Sequence, residues 1–238
     1  MIRFILVILT AFLYLILSIP VLLVLLLIRK KKPEVCDKVS RSLIRWIFRV
    51  ILFFSGTKIT VKGQENIPKD RAVLYIGNHR SYFDILVTYT TVPGSCGFVA
   101  KKELSRIPLL KNWMELIHCL FLDRSDIKQG LQMILSGCEE IKSGTSICIF
   151  PEGTREKEGR LLPPKSGLFV IAAQAGVDVV PVRIRYDTPD GKMRLFCRVN
   201  VIYGEPMPAA QFAMESRRDM KVLRANKQAL LDAWEQLK

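Results

Sequence analysis

The apolar positions along the chain change their spacing twice. Residues 4–28, FILVILTAFLYLILSIPVLLVLLLI, carry no charge, and only Thr10, Ser18 and Pro20 interrupt the run. As a single helix they would reach about 37 Å, enough to cross a bilayer core with some tilt. Pro20 lacks a backbone N–H and is able to kink such a helix. Residues 41–54, RSLIRWIFRVILFF, instead set Arg41, Arg45 and Arg49 four apart among aromatic and aliphatic residues. That spacing stacks the arginines on one helical face and predicts an amphipathic helix at a membrane interface, with Trp46 near headgroup depth. A helix packed on the rest of the chain is the alternative.

From about residue 57, short apolar runs alternate with helical periodicity. The predicted strands are 58–62, 72–76, 96–100, 118–122, 146–150, 179–184 and 195–202, several continuous enough to be buried on both faces. The predicted helices are 83–90, 104–116, 126–142, 166–175 and 216–236. In 126–142 a stripe runs through Ile127, Leu131, Ile134, Leu135, Cys138 and Ile141, with Ser125 or Asp126 as the cap and Gly144 after the end. Strands alternating with helices predict an α/β fold: an open, largely parallel or mixed sheet flanked by helices over residues 57–238. Residues 1–56 form the hydrophobic, membrane-associated helical segment before it. Ligands of such sheets gather beyond the carboxyl ends of the strands. Asn78-His79, Asp123-Arg124 and Glu152-Gly153-Thr154-Arg155 each follow an apolar run, so all three clusters are expected at one edge.

Charge sharpens the membrane reading. The net charge is +14, and residues 29–62 hold ten of the 36 Lys and Arg against two of the 22 acids. A basic belt beside an apolar segment suits an anionic lipid surface rather than nucleic acid. Arg29-Lys30-Lys31-Lys32 follow the apolar run, while only Arg3 and the amino terminus precede it. This asymmetry favours a retained anchor whose C-terminal side faces the cytoplasm; a kinked hairpin entering one leaflet stays open. Six cysteines, at 36, 96, 119, 138, 148 and 197, lack any C-x-x-C pair, which fits buried thiols in a reducing compartment and indicates neither disulfides nor zinc.

Residues 77–84 read GNHRSYFD. On one straight helix, His79 and Asp84 would lie about 140° apart. They meet only if His79 sits in the turn before a helix and Asp84 in its first turn, and Gly77 and Asn78 suit such a turn. An aspartate on one imidazole nitrogen fixes the tautomer and frees the other nitrogen to take a proton from an alcohol. The alternative is a capping box, Ser81-x-x-Asp84. In FPEGTRE, residues 150–156, Arg155 is suited to capturing a phosphate, or Glu152 and Arg155 form a solvated pair. Arg124 has the same two readings, with Asp123 as its pairing partner. Lys101, Lys102 and Lys165 are further candidate cations, and His118 reads as a satisfied core histidine. No metal-ligand spacing, nucleophile elbow or phosphate-binding glycine loop is present.

Taken together, NHRSYFD (78–84), KKEL (101–104), FLDR (121–124), FPEGTR (150–155) and VVPVRI (179–184) resemble the 1-acylglycerol-3-phosphate acyltransferase family over roughly residues 57–205. The resemblance implies His79 as general base and Asp84 as its partner. It implies Glu152, Gly153, Thr154 and Arg155, with Arg124, at the acceptor's glycerol phosphate, and the Pro181 region lining the acyl or acceptor site. The implied substrates are lysophosphatidate and acyl-CoA or acyl-carrier protein, with no other cofactor, at the cytoplasmic face of the inner membrane. Two positions depart from the family: Arg80 stands where glutamine is common, and Pro164 precedes Lys165 where an aromatic is common. Acylation of another lysophospholipid, glycerol phosphate or a lyso-amino-lipid, or lipid binding without catalysis, stays open at this stage.

Overall fold

The computed structural model describes residues 2–123, 126–152, 161–164, 167–188, 194–213 and 219–237. Within them the chain orders as α1 (Ile2–Leu17), α2 (Ile19–Ile28), α3 (Pro33–Ser55), β1 (Lys58–Lys62), β2 (Leu74–Gly77), α4 (Phe83–Thr91), β3 (Cys96–Lys101), α5 (Leu110–Leu116), β4 (Leu120–Leu122), α6 (Ile127–Lys142), β5 (Ser146–Ile149), α7 (Gly167–Ala175), β6 (Val179–Tyr186), β7 (Arg198–Tyr203) and α8 (Met220–Gln236). The seven strands form one sheet in the order β1-β7-β6-β2-β5-β3-β4. Every neighbouring pair is parallel except β6 with β7, so the sheet is mixed.

The central strands β2 and β5 are buried at every position, as their unbroken apolar runs require. One apolar cluster fills the side of the sheet shared with α3 and α4; the other lies under α6, α7 and α8. α8 closes the second side with Leu230 and Trp234, and Trp234 Nε1 donates to the Ile76 carbonyl at 3.2 Å.

Several expectations are corrected. The apolar run is not one helix: it breaks at Ser18, ahead of Pro20, into α1 and α2 bent by 50°. Pro20 cannot donate to the preceding turn, which localises the bend. No single helix among the described residues is long and apolar enough to cross a membrane, although the bent pair together meets that length and composition. The core also runs on across residue 56. Leu22, Leu25, Ile44 and Ile51 share one cluster with Trp113, Val180 and Val199, and Trp113 Nε1 donates to Ser18 Oγ at 3.1 Å.

α3 starts earlier than the predicted 41–54 helix, and its arginines do not form a lipid-facing row. Arg45 Nη2 donates to the carbonyls of Val92 and Gly94, and Arg41 Nη1 to Ser95 Oγ at 3.3 Å. These bonds fasten α3 to the loop before β3, while Ile44, Ile47 and Ile51 are buried. Trp46 and Phe53 remain exposed on the outside.

The predicted helix 104–116 becomes a short 3-10 turn, Lys102–Arg106, followed by α5, with Pro108 between them. In α6, Asp126 is the cap, accepting from the N–H groups of Lys128 and Gln129. Cys138 and Ile141 of the predicted stripe are buried and Ile134 packs against the same core, but Leu131 and Leu135 are exposed. His118 is not in a strand: its φ of 60° is left-handed, which starts β4 at Leu120. Its ring is nonetheless satisfied, with Nδ1 2.8 Å from Glu140 Oε2 and Nε2 3.3 Å from Asp37 Oδ1.

Candidate active site

β2 ends at Gly77, and the next seven residues build the site. Asn78 is buried, and its side-chain amide bridges β6: Nδ2 donates to the Ile184 carbonyl at 3.0 Å, and Oδ1 accepts from the Ile184 N–H at 2.7 Å. This bridge, not an unusual dihedral, is what position 78 requires. Gly77 is likewise chosen for space, since neither residue has a positive φ. A Cβ on Gly77 would fall 2.9 Å from Phe150 Cε1, and the Phe150 ring stacks on His79 with centroids 4.7 Å apart and planes at 20°.

His79 lies in the turn and Asp84 in the first turn of α4, as the spacing demands. His79 Nδ1 is 2.9 Å from Asp84 Oδ2. Asp84 has no exposed surface. Its Oδ2 also accepts from the N–H groups of Arg80 at 2.6 Å and Ser81 at 2.7 Å, and the Tyr186 hydroxyl donates to Oδ1. Three donors besides the imidazole thus hold a buried carboxylate against it. The Ser81 N–H bond to Asp84 is half of the capping box considered above; Ser81 Oγ accepts from Phe83 N–H at 3.2 Å, while the Asp84 N–H goes to the Ser81 carbonyl. Dyad and cap therefore use the same carboxylate and do not compete. With Nδ1 committed to Asp84, the other ring nitrogen, Nε2, meets no hydrogen-bond partner among the described residues. That nitrogen is the one available to a substrate proton.

The clusters after β2 and β5 come together: Glu152 is buried, and its Oε1 accepts from the His79 N–H at 3.3 Å. After β4, at the edge of the sheet, Asp123 Oδ2 lies 3.2 Å from Lys102 Nζ. Lys101 ends β3 with an exposed side chain 3.5 Å from Glu103. Arg124, Gly153, Thr154, Arg155 and Lys165 lie outside the described residues.

Tyr186 was not singled out by sequence reasoning. Burial and the neighbouring Asp84 charge push its hydroxyl well above the ordinary tyrosine range, so it stays a donor. Its bond to Asp84 spans 102 residues, and no local pattern announces it. Arg183, also unremarked within VVPVRI, sits on β6 at the same edge, its Nε and Nη1 buried and without a hydrogen-bond partner among the described residues.

Residues 58–185 match the acyltransferase family. The chain is 33% identical to a chloroplastic 1-acyl-sn-glycerol-3-phosphate acyltransferase of Brassica napus, over 69% of this chain and 48% of that protein. It is 34% identical to a 1-acyl-sn-glycerol-3-phosphate acyltransferase of Saccharomyces cerevisiae, over 60% and 50%. The chain spans about half the length of the curated relatives it matches. The crystal structure of the 1-acyl-sn-glycerophosphate acyltransferase of Thermotoga maritima superposes with a TM-score of 0.71 at 25% identity, covering 100% of this chain and 98% of that one. With the match extending over more than half of its residues, this chain belongs to the acyltransferase family, alongside these 1-acyl-sn-glycerol-3-phosphate acyltransferases.

Proposed function

We propose that the protein transfers a fatty acyl group from a thioester donor, acyl-CoA or acyl-carrier protein, to the sn-2 hydroxyl of 1-acylglycerol-3-phosphate, giving phosphatidate. The observation that carries this reading is the His79–Asp84 pair, 2.9 Å apart with the second imidazole nitrogen directed away from the carboxylate. Nε2 takes the hydroxyl proton as the oxygen attacks the thioester carbonyl. The tetrahedral intermediate collapses with cleavage of the C–S bond, and His79 returns the proton to the leaving thiolate. Asp84 keeps the tautomer fixed and stabilises the imidazolium between these steps. Backbone amides near the strand ends are the candidates for stabilising the oxyanion. No further cofactor is required.

Arg124 and Arg155, with Glu152, Gly153 and Thr154, are assigned to the acceptor's glycerol phosphate, and Lys101 and Lys165 to its electrostatic surroundings. Holding the hydroxyl beside His79 can contribute up to about 7–11 kcal/mol towards the barrier. The acceptor and product are lipids, which gives residues 1–56 a role as the membrane-associated part and residues 57–238 as the catalytic part. The exposed apolar sides of α1 and α2, with Trp46 and Phe53, are assigned to the bilayer, and Arg29 to Lys32 to its anionic cytoplasmic surface.

The test is purified protein in mixed micelles, offered acyl-CoA or acyl-carrier protein with a panel of lysolipids. Turnover preferring lysophosphatidate is expected. Equal or greater turnover of lysophosphatidylcholine or lysophosphatidylglycerol would reject the assignment of the acceptor.

A further inference from the structure

Along β6, alternate side chains face opposite sides of the sheet. Val182, Ile184 and Tyr186 enter the apolar cluster shared with α3 and α4. Arg183 and Arg185 therefore face the other way; Arg185 is exposed and Arg183 half-buried. The parallel register sets Gly77 against Val182, and Asn78 clamps both peptide groups of Ile184. Arg183 is thus fixed level with Asn78, one residue short of His79, at the edge where the site lies.

A guanidinium carries five donors and no acceptor, and stays charged. In Arg183, Nε and Nη1 are both buried and neither meets an acceptor among the described residues. Its charged neighbours are Arg185 and Arg80, which repel it, and Glu152 and Glu235, which attract it. Burial first, and then the two cations, hold its proton affinity below that of an ordinary arginine. Burying a charged donor without an acceptor is destabilising, and such a group calls for an explanation. A bound anion would supply the acceptor and relieve the repulsion among Arg183, Arg80 and Arg185.

We propose that Arg183 is a binding residue for a phosphate monoester, in an anion subsite flanked by Arg80 at the β2 and β6 ends of the sheet. The proposal rests on the acyltransferase reading above and adds a residue to the cations assigned there. A planar guanidinium presents two edges of parallel donors, Nε with Nη2 and Nη1 with Nη2, each of which matches two phosphate oxygens as a lysine cannot. Both substrates can carry the group: lysophosphatidate has a terminal phosphate monoester, and coenzyme A has one on its ribose. Glu152, one of the charged neighbours of Arg183, accepts from the His79 N–H, and this link to the residue that receives the acceptor hydroxyl favours the acceptor's phosphate.

The test uses the full chain in mixed micelles, with Arg183→Gln and Arg183→Lys and steady-state kinetics in each substrate. The acceptor KM should rise about ten- to hundredfold in Arg183→Gln, the range expected for a lost charge-assisted hydrogen bond. The donor KM should stay within about twofold, and Arg183→Lys should recover only part of the loss. Glycerol 3-phosphate, as a competitor of the acceptor, should weaken in parallel. A rise confined to the KM for acyl-CoA would move the subsite to the donor and overturn the acceptor assignment. Unchanged KM values for both substrates, or a fall in kcat alone, would overturn the proposal altogether. Melting temperatures of the variants guard against misfolding: a variant that melts early but keeps its acceptor KM also counts against the subsite. Failure of the acyltransferase reading would appear separately, as wild-type protein that does not acylate lysophosphatidate.

Discussion

His118 makes a quantitative forecast possible away from the site. Its ring joins three elements, pairing with Asp37 of α3 and Glu140 of α6 from the segment that precedes β4. Hydrogen bonds to Asp37 and Glu140 raise its pKa from 6.5 to about 9, against the opposing effect of burial. Burial disfavours the charge on Asp37, yet His118, Ser95 and Arg41 hold its carboxyl below the usual range. A group whose affinity for protons rises on folding stabilises the fold fully below its unfolded value, and the benefit fades as pH climbs through the folded value. For His118 the contribution is therefore complete below about pH 6.5 and lost between there and about pH 9. At about 1.4 kcal/mol per pH unit, that span gives a ceiling of about 3 kcal/mol. For a chain of 238 residues this corresponds to about 6–12 °C in melting temperature. The perturbation is His118→Gln, and the assay is thermal unfolding in detergent at pH 6 and pH 10. The wild type should melt above the variant by most of that interval at pH 6, and the gap should close at pH 10. Comparing the two proteins removes the contribution of the titrating groups that do not touch His118, leaving the His118–Asp37–Glu140 cluster. A gap that is the same at both pH values would refute the ion-pair account and leave only a packing effect.

Two shorter forecasts concern the site itself. Tyr186→Phe removes one of the four donors to Asp84; losing a hydrogen bond to a charged group should destabilise the fold by about 1.5–3 kcal/mol. It should also lower kcat without changing either KM, and an unaltered kcat would show that Tyr186 does not position the dyad. Gly77→Ala places a methyl group 2.9 Å from Phe150 Cε1, so the ring stacked on His79 must shift. A stability loss of about 1–3 kcal/mol should accompany a fall in kcat, and unchanged turnover would show that the stacking is dispensable.

What the sequence disclosed follows from how local each determinant is. Unbroken apolar runs located β2 and β5 because both faces of those strands are covered. Asp126 and Gly144 delimited α6 because caps act within a turn. The spacing of five between His79 and Asp84 allowed only a turn followed by a helix, and that turn is what forms. The arginines of α3 were misjudged because their acceptors, on Val92, Gly94 and Ser95, lie about fifty residues away. Leu131 and Leu135 share a stripe with Cys138 and Ile141, but only the docking of α6 on the sheet decides which members of the stripe are buried. Tyr186 gains its meaning from Asp84 of α4, 102 residues before it, and Arg183 from the β2 end that β6 pairs with, so only the folded chain reveals either. Arg124 and Arg155, prominent in the motifs, lie outside the described residues, and their roles rest on the family resemblance.

The central claim is that His79, oriented by Asp84, removes the proton of the acceptor hydroxyl. The most direct measurement is the rate of acyl transfer by His79→Ala at saturating lysophosphatidate and acyl donor, in a preparation whose melting temperature and micelle association match the wild type. General-base catalysis typically contributes about 10²–10⁴-fold, so a loss within or beyond that range is expected. Turnover within about twofold of the wild type would contradict the account, because it would mean that the imidazole takes no part in the proton transfer.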